Sequence, residues 1–476
     1  AYLIVRSRKA GAARIFRKPG ALAPFADSLR VGRGTMNLFD QRALRDGVTK
    51  GEVLAWAGYD FANSGCTTVV TTAVFSAYFV GVVAGNASWA TFLWTFILGL
   101  SNLAVMLTMP AIGARVDARA SRKAWLLSVT LVCVACVVGL YWVHAGDILP
   151  AVLLIIVSNY CYALGETFCA AYLPELAQPD AMGRVSGWGW SFGYVGGMLA
   201  LGVSLAWVSH VQAGGGDAEA FVPGTMLITA IIYLLAALPM FLFVRDRAEP
   251  CVQDTESAVL SVFDIRTSWR RVRDFIDFRR LLLVGFFFNA GVFVVISLTA
   301  VYAEQVMHFE PKQTMMLFFV VNIAAALGAF LFGYLEDRIG HRHALGLTLV
   351  GWIAVVALAV MADSDTVFWA AAMLAGLCMG SSQSAGRALA GALAPSHRLG
   401  EFYGLWAFAT RSAAIVGPLT YGIISWATEG NHRGALLFTG CFFVAALALL
   451  AYVDIARGVC RARADDASAI HAEASS

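Results

Sequence analysis

Three ionisable side chains stand inside long apolar stretches of this sequence: Asp60, Glu166 and Arg411. A charge in hydrocarbon costs on the order of 3 kcal/mol on insertion scales unless it faces a polar cavity or a partner, so each is a candidate for binding or ion coupling. Asp60 heads a polar series with Asn63, Ser64, Thr67 and Thr71, at spacings of 0, 3, 4, 7 and 11. At about 100° per residue these positions share one helical face. That face could carry a polar solute. In the plainer alternative the hydroxyls bond their own backbone and Asp60 caps a neighbouring helix. Glu166 could carry a proton or be a fixed salt-bridge partner. Arg411 does not readily give up its proton, so it needs a carboxylate partner or an anionic substrate. One arrangement gives Arg411 a substrate carboxylate and gives Asp60 or Glu166 an amine, which suits a zwitterion such as an amino acid. The other is an internal ion pair.

Other chemistries find little support. The sequence has no Walker loop, no cluster at metal-ligand spacing and no nucleophile–base pair, so neither an enzyme, a metal nor a cofactor is expected. Its eight His lie in loops, near span ends or in the tails. Seven of nine Cys sit in apolar runs and read as packing residues; Cys133 and Cys136 have redox-pair spacing but no companion ligands. A net charge of +3 is too small to suggest nucleic acid.

The elements that must hold these residues are membrane helices. Hydrophobic residues make up 59% of the 476 and charged residues 14%, against about 25% in a water-soluble chain. Twelve apolar stretches of bilayer-spanning length lie between 56 and 456. The chain divides into a leader, 1–51, expected to be disordered; a six-helix bundle, 52–244; a charged linker, 245–280; a second bundle, 281–456; and a tail, 457–476. The first 35 residues hold eight basic residues and one acid, and read as sequence upstream of a natural start near Met36. The linker carries eight Arg and seven acids. Loops after even-numbered helices are rich in Arg, whereas those after odd-numbered helices hold only Lys312 and Arg433. The positive-inside rule then places both termini and the linker in the cytoplasm. Five Lys against 29 Arg, with abundant Ala and Gly, suggests a GC-rich bacterial genome and hence a bacterial cytoplasmic membrane.

The halves repeat. Gly113-x-x-x-Asp117-x-Arg119, with Arg122 following, recurs 220 residues later as Gly333-x-x-x-Asp337-Arg338-x-Gly340-x-Arg342. Gly183 and Gly187 recur 217 residues later as Gly400 and Gly404. Nearly equal offsets indicate a duplicated six-helix unit. The glycines allow close helix approach, and Asp117 and Asp337 could accept hydrogen bonds at a helix N-terminus. Gly189, Gly193 and Gly197 form a small-residue packing ridge, and Trp188, Trp190 and Trp406 read as interface anchors.

The Gly-x-x-x-Asp-Arg-x-Gly-x-Arg pattern resembles the loop signature of the major facilitator superfamily. The stretch Trp56-Ala-Gly-Tyr59-Asp60-Phe-Ala-Asn63-Ser64, with Leu173-Pro174-Glu175-Leu176, Gly183-Arg184-Val185-Ser186-Gly187, Gln383-x-x-x-Arg387 and Glu401-Phe402-Tyr403-Gly404, resembles its vacuole effluxer-like family, over about residues 52–456. The resemblance implies an all-α membrane protein of the major facilitator fold, with twelve transmembrane helices in two pseudo-symmetric bundles. It further implies a secondary transporter, acting as a monomer in the bilayer, that exports a small polar metabolite such as an amino acid with protons as a candidate coupling ion. Asn289 and Gln383 join Asp60, Asn63, Ser64, Thr67, Glu166 and Arg411 as candidate substrate or ion contacts. Two elements depart from the family pattern: an Asn-Asp-Gly element reads Asn289-Ala290-Gly291, and a position favouring Asn before Leu-Pro-Glu falls in Cys169-Ala170-Ala171. A different class is a transporter-like sensor that binds a ligand and signals through the linker.

Overall fold

The computed structural model describes residues 39–247, 265–307, 309, 311–429 and 431–475. The leader reading for 1–38 and the middle of the linker, 248–264, lie outside the described residues. The chain divides into a short unit, Ala1–Asp40, and one body, Gln41–Ser476, that contains every helix among the described residues.

That body holds twelve long helices: α1 (Lys50–Val83), α2 (Ala90–Ala118), α3 (Arg122–Trp142), α4 (Ile148–Leu176), α5 (Met182–Ala213), α6 (Ala218–Phe243), α7 (Ile276–Gln305), α8 (Pro311–Ile339), α9 (His341–Val360), α10 (Asp365–Ala392), α11 (Leu399–Ala427) and α12 (His432–Leu450). Ten are long and apolar enough to cross a membrane by length and composition. The other two, α10 and α11, are long enough at 28 and 29 residues but more polar, because they carry Arg387 and Arg411 among Ser and Thr. Exposed Phe92, Leu149, Leu235, Leu331 and Ile423 give the bundle an apolar outer surface, as lipid requires.

Two apolar cores follow the repeat, one mainly from α1–α6 and one mainly from α7–α12. The halves meet where α2 packs on α11 and α5 on α8; a shift of six helices exchanges these contacts. Glycine makes both crossings close. A Cβ on Gly113 would strike the Gly400 carbonyl, and one on Gly333 would strike Gly183 and Arg184. Gly187 abuts the Ala329 carbonyl in the same way. Gly193 and Gly197 lie against Ser64 and Thr68 of α1, so the predicted ridge is a packing face.

Several boundaries differ from the hydropathy reading. Residues 41–48 are ordered rather than loose: a turn at Gln41–Ala43 leads to Leu44, which pairs with Ala177 beyond α4. The linker contains a short helix, Ile265–Arg271, and α7 begins inside the charged stretch because Asp277 is buried and bonded to Arg457. The tail forms a helix, Ile455–Ser475. Helix α1 is α-helical to Cys66 and then passes into π-type turns at Thr67–Ala73 and Phe79–Val83.

Candidate functional site

Both intramembrane acids pair with an arginine of the opposite half. Asp60 lies on α1, and its Oδ2 accepts from Arg387 Nη1 of α10 at 2.7 Å. Arg387 also donates from Nε to Ser186 Oγ at 3.1 Å and from Nη2 to the Ser186 carbonyl at 2.7 Å. Its guanidinium sits 4.9 Å from the Trp56 ring centroid and 5.5 Å from that of Trp190, both within cation–π range. Trp56 is anchored by its indole N–H to the Cys169 carbonyl at 2.8 Å, and the Cys169 thiol lies 3.9 Å from Asp60 Oδ1. Gly189 leaves room for all of this, since a Cβ there would meet Arg387, Asp60 and Trp56 together.

The second pair is more open. Arg411 Nη2 of α11 donates to Glu166 Oε2 of α4 at 2.5 Å. The Glu166 side chain is 33% exposed and that of Arg411 15%, against 11% and 7% for Asp60 and Arg387. The Glu166–Arg411 pair is therefore the more accessible of the two. Arg411 Nε and Trp190 Nε1 are buried donors with no hydrogen-bond partner. The Tyr162 and Tyr194 phenols lie within electrostatic range of Glu166. The ring of Trp190, which faces Arg387, lies 5.9 Å from that of Tyr194.

The remaining sequence candidates divide. Ser64 lies beside Gly193, and Gln383 lies one turn from Arg387 on the same face of α10, half-buried. Thr67 opens the π-type stretch, and its carbonyl accepts from Thr71 Oγ1 at 2.7 Å. Asn63 leaves the expected stripe: its Oδ1 accepts from Tyr233 of α6 at 2.7 Å, inside the N-terminal bundle. Asn289 is buried and donates back to its own helix at Gly285 O, 2.8 Å. The three tryptophans make contacts within the bundle, Trp188 buried and the other two half-buried. Trp188 donates to Tyr334 Oη at 3.2 Å, Trp190 covers Arg387, and Trp406 packs on Phe288.

The repeated aspartates bond across the halves at the end of the bundle that bears the linker. A helix N-terminus leaves backbone N–H groups unpaired and carries partial positive charge. Neither α5 nor α11 has a side-chain cap of its own. Asp117 accepts from the N–H of Gly400 at 2.9 Å and of Glu401 at 2.8 Å, at the start of α11. Asp337 accepts from Gly183 N–H at 3.0 Å and Arg184 Nε at 2.6 Å, at the start of α5. Arg122 stays within its own half, bonding Glu175 at 2.5 Å, and Arg342 donates to the Ala451 carbonyl at 2.7 Å. Arg338 is exposed.

Arg387 is the residue that the sequence reading passed over as an intramembrane charge. It lies five residues from the end of α10 and looks like a loop cation. The available signal was its place inside an apolar stretch, one turn after Gln383.

Two six-helix halves, crossed by charge pairs and by matched glycine seams, define a multi-pass transporter of the major facilitator type. Residues 76–463 match the family described as "Vacuole effluxer Atg22 like", and the chain belongs to that family. It is 24% identical over 405 residues to an uncharacterized MFS-type transporter, YxiO, of Bacillus subtilis, covering 84% of this chain and 94% of that one. It is 24% identical over 304 residues to autophagy-related protein 22-1 of Penicillium rubens, covering 58% of this chain; the chain spans about half, 50%, of that relative's length. Among solved structures it is similar in fold to the transporter FucP in its outward conformation, with a TM-score of 0.66 at 13% identity, covering 85% of this chain and 99% of that one. It is likewise similar to the human organic anion transporter MFSD10, with a TM-score of 0.64 at 13% identity, covering 84% and 100%.

Proposed function

We propose that this chain is a secondary active transporter that works by alternating access and exports a small polar metabolite, with a zwitterionic amino acid as the favoured class. The observation that carries this reading is the Glu166–Arg411 pair. It joins the two halves, it is partly exposed, and Arg411 keeps a buried, unpaired N–H beside it. A substrate carboxylate can compete with Glu166 for Arg411, while Glu166 receives the ammonium group or a proton. Substrate arrival would then loosen a contact between the halves, the differential interaction that a conformational change requires.

The basic loops put the linker end in the cytoplasm, so the Asp117 and Asp337 contacts and the Asp60–Arg387 pair close the cytoplasmic side. On this reading the chain is closed at its cytoplasmic end, in a bacterial cytoplasmic membrane. Of the two acids Glu166 is the candidate for proton coupling, because it is the more accessible and Asp60 is enclosed.

The test is counterflow in proteoliposomes loaded with a panel of unlabelled amino acids. The wild type is expected to exchange a labelled member specifically. Arg411→Ala should slow exchange by at least about tenfold, the effect of losing one charge-assisted contact of about 1.4 kcal/mol. Glu166→Gln should keep exchange but flatten its dependence on pH. No exchange of any amino acid by folded protein would remove that substrate class; unchanged exchange by Arg411→Ala would remove this site.

A further inference from the structure

The loops leading into α5 and α11 are each held by a segment from one end of the chain. Ahead of α5, Gln178 N–H donates to the Ala43 carbonyl at 2.9 Å and Arg45 N–H to the Leu176 carbonyl at 3.0 Å. Ahead of α11 the clamp is the tail helix, Ile455–Ser475. Asp466 accepts from Ser396 N–H at 2.8 Å and lies 2.8 Å from His397 Nδ1. Asp465 lies 3.5 Å from His397 Nε2 and 3.6 Å from Arg398 Nη1. Nearer its start, Arg457 donates to both oxygens of Asp277, at 2.6 and 2.7 Å, and Arg461 lies over the Phe275 ring at 5.3 Å. Gly458 and Ala462 are buried beneath it, with Gly458 against Leu393. These positions make one face of the helix, at spacings of about 3.6 residues per turn.

A chain of contacts runs from this clamp to the seam between the halves. Asp465 meets Arg398; Arg398 holds the Glu401 carboxylate with Nε and Nη2 at 2.9 and 2.8 Å; and the Glu401 N–H is bonded to Asp117 of the other half. The linker helix adds cover at the same seam. Its Trp269 packs on Phe408 of α11 at 5.8 Å, and Arg271 lines a small recess with Ala114, Asp117, His397 and Glu401.

We propose that the tail helix is a strap on the linker-end gate: docked on Ser396–Arg398 it holds the first turn of α11 against Asp117, and its release lets the α2–α11 seam part. The clamp is largely polar and partly exposed, the kind of contact that opens locally while the rest of a protein stays folded. A cytoplasmic signal that captured the tail would then ease opening of that side of the bundle. Only this last consequence rests on the alternating-access reading; the contacts that link the tail to the seam do not.

The experiment is hydrogen–deuterium exchange in lipid nanodiscs, comparing wild type with Asp465→Lys/Asp466→Lys. The tail amides are expected to lose protection. The Gly400 and Glu401 amides should exchange at least about tenfold faster, as for a local opening. The Gly183 and Arg184 amides at the α5–α8 seam should not change, and they report that the bundle remains folded. The milder Asp466→Asn variant should show the same selective pattern at smaller size. The proposal is overturned if the tail is released while Gly400 and Glu401 stay protected, if the tail stays docked in the lysine variant, or if both seams loosen together in the asparagine variant.

Discussion

Arg387 is surrounded by groups that suit a cation: the Asp60 carboxylate, the Ser186 hydroxyl and carbonyl, and the faces of Trp56 and Trp190. A buried pair of this kind adds little net stability, because desolvation offsets attraction, yet removing one partner strands the other charge. Arg387→Ala is therefore expected to destabilise the protein by about 3–5 kcal/mol, whereas Asp60→Asn/Arg387→Met should cost clearly less. Thermal unfolding in detergent compares them, and equal midpoints for the single and double variants would contradict the pairing. At this scale the sequence was partly legible. Apolar context exposed Asp60, Glu166 and Arg411, because charge in a hydrophobic run needs a reason. It did not give their partners, which come from helices more than two hundred residues away. Nor could helical spacing decide which neighbour each side chain meets. Asn63 shares a face with Asp60, yet it turns to Tyr233 of α6.

At the scale of elements, the two seams depend on glycine where helix backbones touch. Gly113→Val and Gly333→Val should each prevent closure at the linker end, because a side chain there has only opposing backbone to push against. Gly202→Ala, with open space around it, should be silent. Both predictions are checked by cross-linking yield between residue pairs flanking each seam. These contacts were the most legible part of the chain, since the duplicated Gly-x-x-x-Asp pattern and the offset glycine pairs mark both seams. The tail helix was not legible, because its Arg and Ala composition gives no sign of what it docks on. Its acid sensitivity is a further prediction. Burial would raise the Asp466 carboxyl, but hydrogen bonds from His397 and Ser396 outweigh it and hold the group below its ordinary value of 3.8. A carboxylate depressed by docking stabilises the docked state above its undocked pKa and loses that effect as pH falls through the lower, docked value. The anisotropy of a dye on the C-terminus should therefore hold at neutral pH and drop only below about pH 4, the carboxylate range. In Asp466→Asn it should already be partly reduced at pH 7.

At the scale of the whole molecule, two bundles of six helices each have their own core and meet through two seams and two charge pairs. Hydropathy and the repeat disclosed that architecture, although α10 and α11 are more polar than the other ten. Substrate identity is not written in the same terms, because a few polar groups around Glu166 and Arg411 suit many zwitterions. The central claim is that the two ends open in alternation. Spin-label distances test it most directly, with one pair at Asp180 and Arg338 across the linker end and another at Ser88 and Glu429 at the far end. Asp60→Asn/Arg387→Gln, which releases a lock between the halves, should lengthen the first distance and shorten the second, each relative to wild type. Both distances unchanged, or both lengthened together, would contradict alternating access.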